Sequence, residues 1–246
     1  MSEQNNNGLK IPSRVSPYLV MTLNGRGPAT AYLDDYAKEF IQYASQQTMP
    51  VLELGAAYGF FTIAALRAGA TVVANDIEPR HLQILFNETP VDCRSRLTLL
   101  PGEFPQDIHL ARESLSGCYV ARMLGYLEPI NLQCGFKKIH TYLRPNAKFF
   151  IVASSPYKGL YKKVIPLYEQ RVHENAQWPG YFTDLKKLLG ERFPDKLHFF
   201  DEHILTRELE LAGFFVEKVE LFARKDLPTM ALLDGREGIV AIARKL

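Results

Sequence analysis

The amino-acid sequence predicts one α/β domain, with a doubly wound, mainly parallel seven-stranded sheet and helices on both faces. Short runs of branched apolar residues alternate with segments of helical periodicity, which is typical of parallel strands joined by crossover helices. The first strand leads into a glycine-rich turn, the place where open α/β sheets bind nucleotide-like ligands. Two last strands are joined through Asp234-Gly235, which predicts an antiparallel pair at the sheet edge.

Composition sets wide limits on function. With 246 residues, of which 47% are hydrophobic and 23% charged, the chain is long enough for a complete core and is ordinary for a soluble protein. A net charge of +2 gives no electrostatic reason to expect nucleic acid as a partner. Three scattered cysteines without a Cys/His cluster predict neither disulfides nor a metal site. The polar start and the lack of an apolar run of about 18 residues favour the cytoplasm, with no membrane contact, although export without a signal stays open.

The N-terminal region, residues 1–47, is predicted to form an arm followed by one helix. Residues 1–17 are expected to be a loose arm. Apolar and aromatic side chains then recur near helical spacing over about 30–44: Tyr32, Tyr36, Phe40, Ile41 and Tyr43. We expect a helix that lies against the sheet just before its first strand. Its tyrosines either contact a substrate or only form the packed face.

Five strands are expected in alternation with helices, over about 50–55, 71–76, 97–100, 119–121 and 149–153. The helices between them follow Gly59, begin at Pro79 and extend from Pro129 to Leu143, with proline in the first turn of the last two. Asp201 is expected to cap a helix that runs to Ala212. The last two strands are expected over 216–222 and 238–243. Residues 154–198 contain no clear strand and are expected to form a helical insert after the fifth strand.

The glycine-rich turn after the first strand carries the main evidence on the ligand. A dinucleotide motif, Gly-x-Gly-x-x-Gly, would need glycines where the sequence has Gly55, Ala57 and Phe60, so its third glycine is missing and its second is replaced. Glu53 at the strand end would repel a pyrophosphate. The same carboxylate would attract S-adenosylmethionine, which carries a sulfonium and an ammonium group and no phosphate. The turn therefore favours S-adenosylmethionine over NAD.

The motif Glu53-x-Gly55-x-x-x-Gly59 after a buried strand resembles the first motif of the class I S-adenosylmethionine-dependent methyltransferases. The resemblance implies a donor site at this turn, with Ala57 in place of the middle glycine. It also implies that Asp76, at the end of the second strand, binds both ribose hydroxyls.

Further landmarks of this family follow in the expected order. The resemblance implies that Ile77 packs on the adenine ring, that Glu103 and Phe104 meet its edge, and that the stretch from Ala121 to Leu127, with Arg122, meets the methionine portion and the acceptor. Leu143-Arg144-Pro145-Asn146-Ala147 is similar to the family's Leu-Lys-Pro-Gly-Gly turn, and Ala212-Gly213-Phe214 to an Ala-Gly-Phe before its sixth strand. The resemblance covers residues 48–153 well and 199–246 less closely.

The function that this resemblance implies is methyl transfer from S-adenosylmethionine to a small-molecule acceptor, by O- or N-methylation. Alignment of the reactants supplies most of the rate, and a general base is needed only if the acceptor must lose a proton. Gly125 stands where many small-molecule members carry a histidine, so the catalytic residue is left open, with Tyr126 and His173 as candidates.

Several alternatives stay open at this level. The insert at 154–198 is expected to cover a partly apolar acceptor, but it could instead be the surface of a homodimer. Ser154-Ser155-Pro156-Tyr157 is similar to the box of DNA amino-methyltransferases, yet it follows the fifth strand and lacks the second proline, which argues against nucleic acid. A nicotinamide-dependent oxidoreductase and a non-catalytic, methyltransferase-like binding module are the competing functions.

Overall fold

A computed structural model describes residues 9–246; residues 1–8 of the expected arm lie outside this range. The strands, in chain order, are β1 (Leu19–Met21), β2 (Pro28–Thr30), β3 (Val51–Leu54), β4 (Val72–Asp76), β5 (Leu97–Pro101), β6 (Leu115–Ala121), β7 (Leu143–Ser154), β8 (Tyr181–Phe182), β9 (Leu197–His198), β10 (Phe214–Phe222) and β11 (Gly238–Lys245). The α-helices are α1 (Asp35–Ser45), α2 (Phe60–Arg67), α3 (Pro79–Glu88), α4 (Pro129–Tyr142), α5 (Ile165–His173), α6 (Leu185–Leu189) and α7 (Glu202–Leu211).

Seven strands form the central sheet in the order β10-β11-β7-β6-β3-β4-β5. β3, β4, β5, β6 and β7 pair in parallel, whereas β11 runs antiparallel to both of its neighbours. Apolar side chains of α1 and α2 pack on one face of the sheet, and those of α4 and α7 pack on the other. The predicted fold class, a doubly wound and mainly parallel sheet with an antiparallel last strand, is confirmed.

The N-terminal region differs from its prediction. The helix expected over about 30–44 begins only at Asp35, because Oδ1 of Asp34 accepts a hydrogen bond from the Ala37 amide at 2.8 Å and caps it there. The preceding residues pair instead as an antiparallel hairpin of β1 and β2. We call Leu19–Thr30, which comprises β1, β2 and their connection, the strap.

Two strands are longer than the apolar runs suggested. β6 begins at Leu115, four residues before the expected start, and β7 begins at Leu143 and so includes the stretch expected to be a turn. Within that stretch Asn146 adopts a left-handed φ of 65°, and the pairing of β6 with β7 shifts register between Leu115 and Gly117. The turn is thus an irregular part of the strand, which alternation of side chains does not reveal.

The insert at 154–198 contains α5 and α6, as expected for a helical insert, but also a small antiparallel pair of β8 and β9. Each of these strands has two residues, too few to give a readable alternation. The insert contributes to a small apolar cluster, which Phe199 completes just after it: Val164, Tyr168, Phe182, Leu185 and Leu197. Within residues 9–246, no helix has the length and apolar character that crossing a bilayer requires.

Candidate active site

One large cavity opens at the carboxyl ends of the parallel strands. Its walls come from the glycine turn after β3, the ends of β4 and β6, the loop after β5, and the strap with the residues that follow it. Because neighbouring parallel strands end at the same edge, β4, β3 and β6 place Asp76, Glu53 and Arg122 side by side along this cavity.

The glycine turn has a left-handed backbone at three positions. Gly55 and Gly59 have φ values of 73° and 77°, and Ala57 has 46°. A Cβ atom on Gly59 would lie 2.0 Å from Cδ1 of Leu85, and one on Gly55 would lie 2.9 Å from Cβ of Met123. Glycine is therefore required at both positions, by conformation and by space.

Glu53 is buried where β3 enters this turn. Its Oε2 accepts a hydrogen bond from the hydroxyl of Thr62 in the first turns of α2. Burial raises the pKa of Glu53 to about 8, and the charge of Asp76 acts in the same direction, while the hydrogen bond from Thr62 opposes it. The free protein therefore holds this carboxyl mostly protonated at neutral pH.

Asp76 receives three hydrogen bonds from the protein. Its Oδ2 accepts from the amide of Ala57 at 2.8 Å, and its Oδ1 accepts from the amide of Glu78 at 2.9 Å. Nδ1 of His81 lies 3.0 Å from Oδ1, and Nε2 of His81 accepts from the amide of Leu23 at 3.0 Å. Because Nε2 accepts, the proton of a neutral imidazole is on Nδ1, which donates to Asp76. A carboxylate has about four acceptor positions, so about one is left for a ligand, which suffices for one of the two ribose hydroxyls expected to bind here.

The end of the cavity near β5 is apolar with one acid at its rim. Ile77 and the buried Phe104 line it, and the exposed Glu103 lies beside them. The side-chain amide of Asn75 donates to the carbonyl oxygens of Leu100 at 2.8 Å and Gly102 at 3.0 Å. Asn75 thereby fixes the loop after β5 to the end of β4.

Arg122 follows β6 with a left-handed φ of 62°. Its Nη2 donates to Oδ2 of Asp34 at 2.9 Å and lies 3.9 Å from Oδ2 of Asp226, which is itself paired with Arg224. The Nε–H of Arg122 is buried and has no partner among the described residues. An unpaired buried donor is costly, and since this atom has almost no accessible surface, a ligand in the cavity reaches it only if the side chain shifts.

Tyr126 lines the cavity beside Met123 and Leu127. Burial raises the pKa of its phenol, so the group is protonated at neutral pH. A Cβ atom on Gly27 would lie 2.8 Å from its Oη, which shows how closely the strap approaches it. A Cβ atom on Gly125 would lie 3.2 Å from the carbonyl oxygen of His198, so a histidine would be tightly crowded there.

The other catalytic candidate and the insert lie elsewhere. His173 is exposed on α5 and does not line the cavity, and no residue of 154–198 is among the lining residues in the part of the chain that the structure describes. The insert contacts one residue of the cavity wall, since Nδ1 of His198 lies 3.3 Å from the carbonyl oxygen of Leu127. Burial lowers the pKa of His198 to about 4, so its imidazole is neutral. Among the described residues the strap borders this cavity and the insert does not; that the insert covers an acceptor stays a prediction.

The structure brings together all but one of the residues expected to bind the donor. The lining includes Glu53, Gly55, Ala57, Asp76, Ile77, Glu103, Phe104 and Arg122. Gly59 is the exception, because it lies at the N-terminal cap of α2. Sequence reasoning missed His81, Asn75, Asp34 and the strap. One sequence feature could have indicated a role for His81: it lies in the first turns of a helix that begins just after Asp76. No feature of the sequence indicated the strap.

Comparison with solved structures identifies the fold. A Mesorhizobium loti S-adenosylmethionine-dependent methyltransferase is 19% identical, with a TM-score of 0.64 over 87% of this chain and 100% of that one. A glycopeptide N-methyltransferase solved with S-adenosyl-L-homocysteine is 18% identical, with a TM-score of 0.59 over 85% and 88%. The Burkholderia thailandensis 1,6-didemethyltoxoflavin-N1-methyltransferase, solved with 1,6-didemethyltoxoflavin and S-adenosylhomocysteine, is 19% identical, with a TM-score of 0.59 over 86% and 77%.

No family model matches the chain, and no curated protein matches it. At these identities the solved structures establish the fold: the chain has the fold of S-adenosylmethionine-dependent methyltransferases, as its motifs led us to expect.

Proposed function

We propose that this chain binds S-adenosylmethionine and transfers its methyl group to a small-molecule acceptor. The observation that carries the proposal is the order of three side chains along the cavity. Asp76, Glu53 and Arg122 lie at or next to the carboxyl ends of three neighbouring strands. A ribose, a cationic centre and a carboxylate follow one another in the same order in this donor. The dinucleotide motif lacks its third glycine, where this chain has Phe60, which argues against NAD.

Each part of the donor has a chemically matched residue in the cavity. Asp76 accepts from the ribose, and the apolar side chains of Ile77 and Phe104 lie against the adenine ring. Glu103 meets the adenine edge. The guanidinium of Arg122, held in place by Asp34, is a cationic group in the cavity wall that attracts the α-carboxylate. Glu53 offers a carboxylate to the positive charge, which favours its ionised form.

S-Adenosylmethionine supplies a methyl group on a sulfonium, an excellent leaving group that makes alignment the main task of the protein. The strap and the end of β6 form walls of the cavity, and Tyr126 is placed to donate a hydrogen bond that orients an acceptor. None of these residues needs to take a proton in the transfer itself.

The acceptor atom that fits this cavity best is a nitrogen with a free lone pair. Both nitrogens of His81 are engaged, and the phenol of Tyr126 is protonated at neutral pH. Glu53, Asp76 and Glu103 are all assigned to the donor, which leaves no free carboxylate or imidazole as general base among the described residues that line the cavity. An alcohol or a phenol would need one. Two of the compared structures are N-methyltransferases by description, which supports the same choice.

Matched acceptors test this proposal. Pairs of aromatic acceptors that differ only in an amine, which keeps its lone pair at pH 7, against a hydroxyl are incubated with S-adenosylmethionine at pH 7, and release of S-adenosylhomocysteine is measured. We expect turnover with members of the amine series and none with their hydroxyl partners. A hydroxyl acceptor that is methylated as fast as its amine partner would overturn the assignment to nitrogen.

A further inference from the structure

The strap is fastened to the donor side of the cavity by two hydrogen bonds. The phenol of Tyr58, in the glycine turn, donates to the carbonyl oxygen of Met21 at 2.7 Å, and the amide of Leu23 donates to Nε2 of His81 at 3.0 Å. Both rings are almost fully buried, and they meet edge to face with centroids 5.0 Å apart. The strap is therefore attached to the elements that build the donor site.

Of the two side chains that bind the strap, Tyr58 and His81, only His81 also contacts Asp76. Its Nδ1–H donates to Oδ1 at 3.0 Å, so one imidazole ring joins a backbone amide of the strap to the carboxylate assigned to the ribose. The tautomer that binds Leu23 is also the one that binds Asp76. Rotation of the carboxylate therefore disturbs the contact with the strap, and opening of the strap frees the carboxylate.

The strap also borders the cavity directly. Its side chains Thr22, Asn24 and Arg26 line the wall, and Gly27 lies against Tyr126. A ligand within this cavity therefore lies beneath a segment whose position depends on His81.

We propose, building on the donor site proposed above, that His81 is a positioning residue that couples closure of the strap to occupation of Asp76. A ribose hydroxyl that donates to Asp76 holds the carboxylate in the orientation that receives Nδ1–H. The ring then keeps Nε2 directed at Leu23, and the strap stays closed over the donor. Release of the donor loosens the same chain of contacts.

Two substitutions separate the halves of this coupling. In His81→Asn the shorter amide imitates the Nδ1–H donor to Asp76 but does not reach Leu23. In His81→Gln the longer amide places an oxygen near the position of Nε2 and loses the donor to Asp76. Tyr58→Phe is the matched control, because it removes the other fastening and leaves Asp76 untouched. Circular dichroism confirms that each variant is folded before it is used.

Amide hydrogen exchange across 19–30 is measured with and without saturating S-adenosylhomocysteine. In the wild type we expect the ligand to slow exchange of the strap several-fold. In His81→Asn the strap exchanges faster and the ligand no longer slows it. His81→Gln keeps the protection of the free protein but binds the ligand several-fold more weakly, because the carboxylate of Asp76 is no longer held in one orientation. Tyr58→Phe exchanges faster, yet the ligand still protects its strap.

Equal protection by the ligand in His81→Asn and the wild type would overturn the coupling. If the wild type binds no S-adenosylhomocysteine, the proposed function fails, and exchange in the free protein still tests the fastening. In that case an amide of Leu23 that exchanges equally fast in the wild type and His81→Asn would refute the role of His81.

Discussion

Glu53 is the residue whose charge depends most directly on what occupies the cavity. Burial raises its pKa from 4.5 to about 8 in the free protein, whereas a cationic donor stabilises its ionised form. Binding below pH 8 therefore releases a proton. The same shift makes the free protein less stable as the pH rises from 4.5 towards 8, because the unfolded chain ionises first.

This shift predicts a pH dependence of donor affinity. The affinity for S-adenosylmethionine should rise by up to about tenfold per pH unit between pH 6 and pH 8 and then level off. Calorimetry in two buffers of different ionisation enthalpy measures both the affinity and the proton released. Glu53→Gln should bind more weakly at pH 8 and show a flat profile. A wild-type affinity that does not change over this range would contradict the assignment of Glu53.

Asp76 gives a second test at the residue scale. Asp76→Ala should weaken binding of S-adenosylmethionine by about 1–3 kcal/mol, the scale of hydrogen bonds to a charged group. Asp35→Ala is the control, because Asp35 is an exposed acid on α1 and should leave the affinity unchanged. Equilibrium titration measures both. If Asp76→Ala binds as the wild type does, the ribose has been placed wrongly.

Single residues were predictable from sequence where a local motif identifies them. Glu53, Gly55 and Asp76 have fixed places relative to buried strands, so their positions at one edge of the sheet follow from the alternation of elements. His81 and Asn75 were missed because their roles depend on partners that only the folded chain brings close. The contact of His81 with Leu23 spans 58 residues.

At the scale of elements, the strap lines the cavity although no element was expected there, and the insert does not line it although it was expected to cover the acceptor. The aromatic residues of 154–198 suggested a cover for the acceptor, but Tyr168 and Phe182 are buried in a small apolar cluster made mostly of residues of the insert itself. The strap has two strands of three residues each and a polar connection, which give no periodic pattern to read. A high content of aromatic residues indicates that side chains are buried, but it does not identify the residues against which they pack.

The close packing of the turn between β3 and α2 can be tested by substituting one glycine of that turn, Gly59, and one glycine of the strap, Gly25. Gly59 and Gly25 have similar φ values of 77° and 69°, but a Cβ atom at Gly59 would lie 2.0 Å from Leu85, and one at Gly25 would meet nothing within 4 Å. Gly25→Ala should lower the free energy of unfolding by about 1 kcal/mol, the cost of the left-handed backbone alone. Gly59→Ala should lower it by about 1–3 kcal/mol more, because it overpacks the turn.

Urea denaturation measures both changes. Equal losses of stability in the two variants would mean that the turn relaxes away from α3 without cost, and that the close contact with Leu85 does not constrain the site.

At the scale of the whole molecule, the order of strands makes the cavity. Placing β3 between β4 and β6 brings residues from positions 53, 76 and 122 to one edge. This order was predictable in outline, because alternating strands and helices fold with right-handed crossovers. The bounds of β6 and β7 were less predictable, since a strand buried on both faces has no alternation of polar and apolar residues.

The central claim is that this cavity holds a sulfonium donor and not a dinucleotide. Isothermal titration calorimetry of the wild-type chain with S-adenosylmethionine, S-adenosylhomocysteine and NAD tests it most directly. We expect S-adenosylmethionine and S-adenosylhomocysteine to bind with one site per chain, and NAD to give no binding heat. Binding of NAD alone would contradict the account.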